Sequence, residues 1–365
     1  MKRILCVMGT RPEAIKMAPV VLALRADPHF EVRVLATAQH REMLDQVLRL
    51  FDIHPDADLN VMQANQSLSD LTARLLTGAD AVLAEQAPDA VLVQGDTTTV
   101  MALCLACFYR RIPIGHVEAG LRTGDIHNPF PEEANRLIAS LFARWHFAPT
   151  ESSRQNLLRE DVADADILVT GNTVIDALLM TAERSTTVDL GQRAGARMVL
   201  VTAHRRENFG APFQEVCRAL RHLAEHNPAV DFVYPVHPNP NVRDVARAAL
   251  ADLPNMHLCA PLEYDSFVAA MKQAYFIISD SGGVQEEAPA LGKPVLVLRN
   301  ETERPEAVDA GVVKLVGPNH ERIVAEAQRL LDDPAAYRAM AQGVSPYGDG
   351  RAAERIARHL RAAFA

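Results

Sequence analysis

The chain has 365 residues, 48% hydrophobic and 23% charged, which favours a globular protein of two domains over a disordered or fibrous one. A formal net charge of -9 argues against broad nucleic-acid binding. No apolar run approaches the ~20 residues that span a bilayer, and five cysteines in a chain this long do not make a disulfide scaffold.

The first apolar run stops at Gly9, and Arg11 and Glu13 follow, so residues 4–8 read as a buried strand and not as a signal peptide. A cytoplasmic protein is therefore expected. Thr10 is placed to cap a helix beginning at Pro12. A strand over 31–36, a helix over 42–50 and a long helix over 67–85 follow, the last with Leu68, Leu71, Leu75 and Leu76 at helical spacing. A strand over 90–93 leads into Gly95, Asp96 and a helix ending near Tyr109. Cys104 and Cys107 have C-x-x-C spacing, but within an apolar helical run buried free thiols are expected.

Residues 112–117 form the next apolar run, ending in Glu118. Gly120 and Gly124 keep the following loop close and mobile. Pro131 suits the first position of a new helix, with Glu132 and Glu133 in its first turn. Short strands are expected at 145–148 and 167–169, then an irregular segment over 181–195. Strands resume at 198–201, 231–236, 256–258, 276–279, 295–298 and 313–316, with a last helix over 350–364. Such alternation implies mostly parallel sheets covered on both faces.

Charged groups gather where strands end. Arg11 and Lys16 lie at a helix start that suits a phosphate. Ser281, Gly282 and Gly283 form a second strand-to-helix turn able to cradle a diphosphate, and Glu287 is placed to accept from ribose hydroxyls. His204, beside Arg205 and Arg206, and His237 follow two further strands and suit an anion site. Asp96, Glu118 and Glu132 form an acidic set suited to proton transfer. Against these stand plainer roles: Asp96 as a helix cap, and Glu132 as a partner of Arg136 one turn on. No H-E-x-x-H, Walker loop or G-x-G-x-x-G follows the first strand.

Together these residues carry a resemblance. The stretches G-T-R-P-E-A-I-K (9–16), A-Q-H-R-E-M-L-D (38–45), G-D-T-T-T (95–99) and G-H-V-E-A-G-L-R-T (115–123) come first. P-E-E-A-N-R (131–136), G-N-T-V-I-D (171–176), H-R-R-E-N (204–208), D-S-G-G-V-Q-E-E-A-P (280–289) and T-E-R-P-E (302–306) follow in order. This set resembles the non-hydrolysing UDP-N-acetylglucosamine 2-epimerases over nearly the whole chain. Ala203 before His204 and Gln94 before Gly95 depart from the glycine and histidine expected there.

The resemblance implies two doubly wound Rossmann-like α/β domains facing a central cleft, the GT-B-type glycosyltransferase-like fold. The domains are expected at 1–170 and 171–349, with the helix over 350–365 rejoining the first. The implied reaction interconverts UDP-N-acetylglucosamine and UDP-N-acetylmannosamine by loss and re-addition of UDP through 2-acetamidoglucal, without a nicotinamide or a metal. The resemblance makes Asp96, Glu118 and Glu132 the proton-handling carboxylates and sets His204 on the leaving diphosphate. Arg11, Lys16, Arg136, Arg205, His237, Phe267, Ser281, Gly282, Gly283 and Glu287 are then expected to hold the substrate. Gln39, His40 and Arg41 resemble a second, regulatory substrate site, and the chain is expected to be a homodimer. A glycosyltransferase on the same fold, a hydrolysing epimerase and a silent nucleotide-sugar sensor stay open as alternatives.

Overall fold

The structure, a computed structural model, describes residues 1–37, 41–63, 66–302 and 304–365, without the side chains of 41–43. The chain divides into two compact units, Met1–Leu179 with Tyr347–Ala365, and Met180–Pro346. The boundary expected at 170–171 falls just before the helix Thr173–Arg184, which begins in the first unit and ends in the second.

The first unit holds β1 (Lys2–Met8), β2 (Phe30–Ala36), β3 (Ala57–Asp58), β4 (Ala90–Gln94), β5 (Ile114–Val117), β6 (Trp145–Ala148) and β7 (Ile167–Val169). They form one parallel sheet in the order β3-β2-β1-β4-β5-β6-β7, with helices in the connections. Ile4, Leu5, Cys6 and Met8 are fully buried, as a strand covered on both faces requires. β5 starts two residues later than the apolar run predicts. The preceding helix closes through Arg111 in the left-handed region (φ 57), and the N–H of Ile112 donates back to the carbonyl of Cys107. Cys104 and Cys107 are buried free thiols, and burial pushes the Cys107 thiol up to about 12.

The last helix, Ala352–Ala363, packs on the helix Arg11–Arg25 in this same unit. Asp176 caps it, accepting from the N–H groups of Ala352 at 3.2 Å and Ala353 at 2.8 Å. Gly171 (φ +88) permits the close return of the chain here, because a Cβ there would lie 3.2 Å from the Cα of Gly348.

The second unit holds β8 (Arg197–Thr202), β9 (Val230–Pro235), β10 (Met256–Cys259), β11 (Phe276–Ser279), β12 (Val295–Val297) and β13 (Val313–Leu315). These strands are parallel, in the order β10-β9-β8-β11-β12-β13, around a core that includes Phe213, Phe232, Tyr234 and Phe276. The irregular segment begins later than expected, because the helix Thr173–Arg184 carries its buried face, with Ala177 and Leu178, through to Arg184. Each sheet thus reverses direction once, between β1 and β4 in the first unit and between β8 and β11 in the second. The crevice beyond the strand ends at such a reversal is where doubly wound folds bind ligands. Among the described residues no helix is long and apolar enough to cross a membrane.

Candidate active site

In the first unit, the reversal brings the turn after β1 next to the turn after β4. Glu13 joins them. It is 3% exposed, and its Oε2 accepts from the N–H groups of Gly9 at 3.0 Å and Thr10 at 2.5 Å. Its Oε1 accepts from the hydroxyl of Thr97 at 2.7 Å. Burial pushes its carboxyl up to about 7, although those hydrogen bonds favour the ionised form. Gly9 has no room for a side chain, since a Cβ would meet Thr99 Oγ1, Thr37 Oγ1 and Glu13 within 3.0 Å. Arg11 is the first residue of the helix that follows and is partly exposed.

Asp96 follows β4. The helix behind it is capped by Thr97, whose hydroxyl accepts from the N–H of Val100, so Asp96 is not the cap. Its carboxylate instead accepts from Arg136, Nε at 2.9 Å and Nη2 at 2.7 Å. Arg136 also binds Glu133 at 2.9 Å, and Asn135 donates to the backbone carbonyl of Asp96 at 2.9 Å. Glu132 is therefore not the partner of Arg136. The helix Glu132–Phe142 turns Glu133 inward, 2% exposed, and leaves Glu132 partly exposed with no hydrogen bond or ion pair among the described residues. Pro131 stands as the cap before this helix and not as its first residue.

Glu118 follows β5 with φ 66, an unusual conformation for a side-chain-bearing residue. Lys16 is hydrogen-bonded to its Oε2, and Asn172 donates to the same oxygen at 2.9 Å. Lys16, expected on a phosphate, thus lies on the carboxylate of Glu118, whose side chain is 8% exposed. Gly120 is a packing necessity more than a mobile joint, since a Cβ there would lie 2.3 Å from the carbonyl oxygen of Ser153. Within β5, His116 donates to the carbonyl of Gly95 at 2.7 Å, and burial holds its imidazole down to about 3.

In the second unit, the reversal sets the loop after β8 beside the loop after β11, with the N–H of Asp280 donating to Thr202 at 3.0 Å. His204 is half open to solvent, and its ring stacks on that of His237, centroids 5.7 Å apart and planes at 11°. Burial pulls the His204 imidazole below its ordinary value while Asp280 pulls it up. Arg205 is exposed and its N–H donates to Asp280 at 2.8 Å. Ser281 caps the helix Gly282–Ala290 through its backbone, with its side chain making no cap bond. The first N–H groups of that helix are thus a place for an anion. Glu287, one turn in, accepts from the hydroxyl of Tyr264 at 2.7 Å and is 6% exposed. Phe267 is half-buried on the helix Tyr264–Gln273. Arg304 binds Glu286 at 2.6 Å beside Gly282.

Asp280, Asn172, Asn135, Glu13 and Tyr264 are contributors that the sequence reading did not single out. All but Tyr264 lie within a motif named above, but each has a partner remote in the chain. Gln39 and His40 lie outside the described residues, as does the side chain of Arg41, which begins the helix Arg41–Leu50.

Two doubly wound parallel sheets, each with charged groups at its reversal, define a GT-B-type α/β protein. The profile of the UDP-N-acetylglucosamine 2-epimerase family matches residues 22–361, and the chain belongs to that family of isomerases. It is 56% identical to the UDP-N-acetylglucosamine 2-epimerase of Escherichia coli K12, over 98% of this chain and 98% of that one. The UDP-GlcNAc 2-epimerase from Neisseria meningitidis, solved bound to UDP-GlcNAc, is 48% identical with a TM-score of 0.90, covering 99% of this chain and 100% of that one. The Methanocaldococcus jannaschii UDP-GlcNAc 2-epimerase, solved in complex with UDP-GlcNAc and UDP, is 30% identical with a TM-score of 0.81, covering 99% of each.

Proposed function

We propose that the chain interconverts UDP-N-acetylglucosamine and UDP-N-acetylmannosamine by eliminating UDP and adding it back. The observation that carries this is the carboxylate set of the first unit: Asp96 paired with Arg136, Glu118 with Lys16 and Asn172, and Glu132 left without a partner among the described residues. Carboxylates in unlike surroundings can divide the acid and base roles.

A proton on carbon 2 beside an acetamido group is weakly acidic. Loss of UDP from carbon 1 builds positive charge next door and makes that proton easier to remove. One carboxylate takes the proton, the C1–O bond breaks with its electron pair going to UDP, and 2-acetamidoglucal forms. Protonation of carbon 2 from the other face and return of UDP to carbon 1 complete the epimerisation. Stabilising the departing diphosphate is the main electrostatic task. His204, Arg205, His237, Arg11, the hydroxyl of Ser281 and the N–H groups of Gly282 and Gly283 suit it, and Glu287 with Phe267 suits the nucleoside. Lys16 and Arg136 serve the carboxylates instead.

The test is turnover in heavy water. Deuterium at carbon 2 of the product is expected, with its incorporation abolished in Asp96→Asn, Glu118→Gln or Glu132→Gln. An epimer formed without label by active mutants would remove the proton-transfer assignment, and free N-acetylmannosamine would mark a hydrolysing enzyme.

We further propose that the protein is a cytoplasmic homodimer. Its free cysteines suit a reducing compartment. Phe108, Tyr109 and Leu141 are exposed by 56%, 67% and 76% on two helices that pack together, an apolar surface of the kind that self-association covers.

A further inference from the structure

The loops after β8 and β11 converge on one buried carboxylate that the reaction above does not use. Asp280 is 0% exposed. Its Oδ2 accepts from the N–H groups of His204 at 2.9 Å and Arg205 at 2.8 Å, and from the side chain of Asn208 at 3.2 Å. Its other oxygen, Oδ1, is buried and accepts no hydrogen bond among the described residues. His204 Nδ1 lies 3.6 Å from that oxygen, too far for a hydrogen bond but close enough to become one by a small turn of the ring. A buried acceptor left empty is unfavourable, so there is a physical reason for the turn.

We propose that Asp280 is a positioning residue for His204: its Oδ1 accepts the Nδ1–H of the imidazole, fixes the tautomer and favours the imidazolium, leaving Nε2–H to serve the diphosphate. The alternative is that Asp280 merely ties down the turn at 203–205 through Oδ2. Charge separates the two. Burial, the stacked ring of His237 and the guanidinium of Arg205 all oppose a positive His204, and Asp280 is the group that favours it. Without Asp280, every remaining neighbour drives the ring toward neutrality.

This inference rests on the reading of His204 as a donor to the departing diphosphate, so the test separates the two. The full chain is labelled with ¹⁵N-histidine, and His204 is assigned by the signal lost in His204→Gln. In the wild type, neutral His204 is expected to carry its proton on Nδ1. Asp280→Asn turns an amide NH₂ toward Nδ1, so the neutral ring is expected to switch to the Nε2–H form and its titration midpoint to fall by about one pH unit. kcat near neutral pH is expected to fall, because a neutral Nε2–H is a weaker donor to the departing diphosphate than the imidazolium, while KM for UDP-N-acetylglucosamine changes little. An Nε2–H tautomer in the wild type, or an unmoved midpoint in the variant, overturns the proposal. A moved midpoint with an unmoved kcat upholds the Asp280–His204 pair and removes the positive charge of His204 from catalysis. Should Asp280→Asn fail to fold, the wild-type tautomer decides alone.

Discussion

The ammonium of Lys16 is bonded to the carboxylate of Glu118, joining the first helix of the chain to the end of β5. Both side chains are largely buried, 12% and 8% exposed. Glu118 also holds a left-handed backbone conformation, which a glutamate adopts only when its surroundings impose it. Lys16 and Asn172 hold its side chain, and the N–H of Ala119, next along, donates to Phe147 at 3.1 Å. A carboxylate held this firmly is suited to repeated proton transfer at one fixed point on a substrate.

Lys16→Met should therefore act through Glu118 and not through the nucleotide. Turnover is expected to fall about 100-fold, the scale of a displaced general base. Product inhibition by UDP should change little. Removing one partner of a buried pair should also lower stability by about 3 kcal/mol, so chemical denaturation accompanies the kinetics. Weakened UDP inhibition with intact turnover would return Lys16 to the phosphate.

Gly282 and Gly283 separate fold from ligand. A Cβ on Gly282 would lie 2.7 Å from Arg304 Nη1, so alanine there disturbs the Arg304–Glu286 pair. Among the described residues, a Cβ on Gly283 would meet only Glu287 at 3.5 Å and Ser281 at 3.9 Å, ordinary contacts. Gly283→Ala should keep the melting temperature while weakening UDP binding about tenfold by calorimetry, because the added methyl stands where a diphosphate approaches. Unchanged affinity would move the diphosphate elsewhere.

Much of this architecture is legible in the sequence. β6, β7 and β11 stand at the expected bounds because each is a short, mostly apolar run that stops at a proline or a polar residue. β3 is missed because two residues carry no period. The acidic and basic groups are legible because they follow apolar strands. Their pairing is not. Asn172 and Glu118 are separated by 54 positions, and Asp280 and His204 by 76. The choice of Asp96 over Glu132 as partner of Arg136 depends on which way one helix face turns. Local spacing favours the wrong carboxylate, because Glu132 is one turn away in sequence while Asp96 arrives from another strand.

The segment at 39–41 gives a kinetic prediction. If Gln39, His40 and Arg41 bind a second substrate molecule, epimerisation started from UDP-N-acetylmannosamine should accelerate on adding trace UDP-N-acetylglucosamine. Arg41→Ala should abolish that acceleration while sparing the rate at saturating UDP-N-acetylglucosamine. A hyperbolic progress curve without activation counts against the site.

The apolar surface of the first unit predicts a dimer that a charge will break. Leu141→Glu places a carboxylate on a position 76% exposed in the single chain, so folding of that chain should be unaffected. Sedimentation should shift from dimer to monomer. A wild-type chain that sediments as a monomer would leave that surface for another partner.

The stability of the first unit carries two opposing pH dependences below neutrality, and Glu13 identifies the one that lowers stability as pH rises. Burial raises its carboxyl from an ordinary 4.5 to about 7. Between these values the folded chain holds a proton that the unfolded chain has released, so stability declines as pH rises through that window. Asp176, raised from 3.8 to about 6, acts in the same direction. His116 acts oppositely. Its imidazole is lowered from 6.5 to about 3, so below 6.5 the unfolded chain gains a proton that the folded chain refuses, and stability declines as pH falls. Glu13→Gln isolates one limb. Its carbonyl can still accept from Gly9 and Thr10, and its NH₂ can donate to Thr97 Oγ1, so the turn keeps its bonds without a titrating group. Urea unfolding of both proteins at about pH 5 and about pH 8 should show the mutant gaining on the wild type by up to about 3 kcal/mol at the higher pH. A difference that stays flat, or that favours the wild type at the higher pH, would mean that Glu13 is ionised throughout and that its hydrogen bonds outweigh its burial.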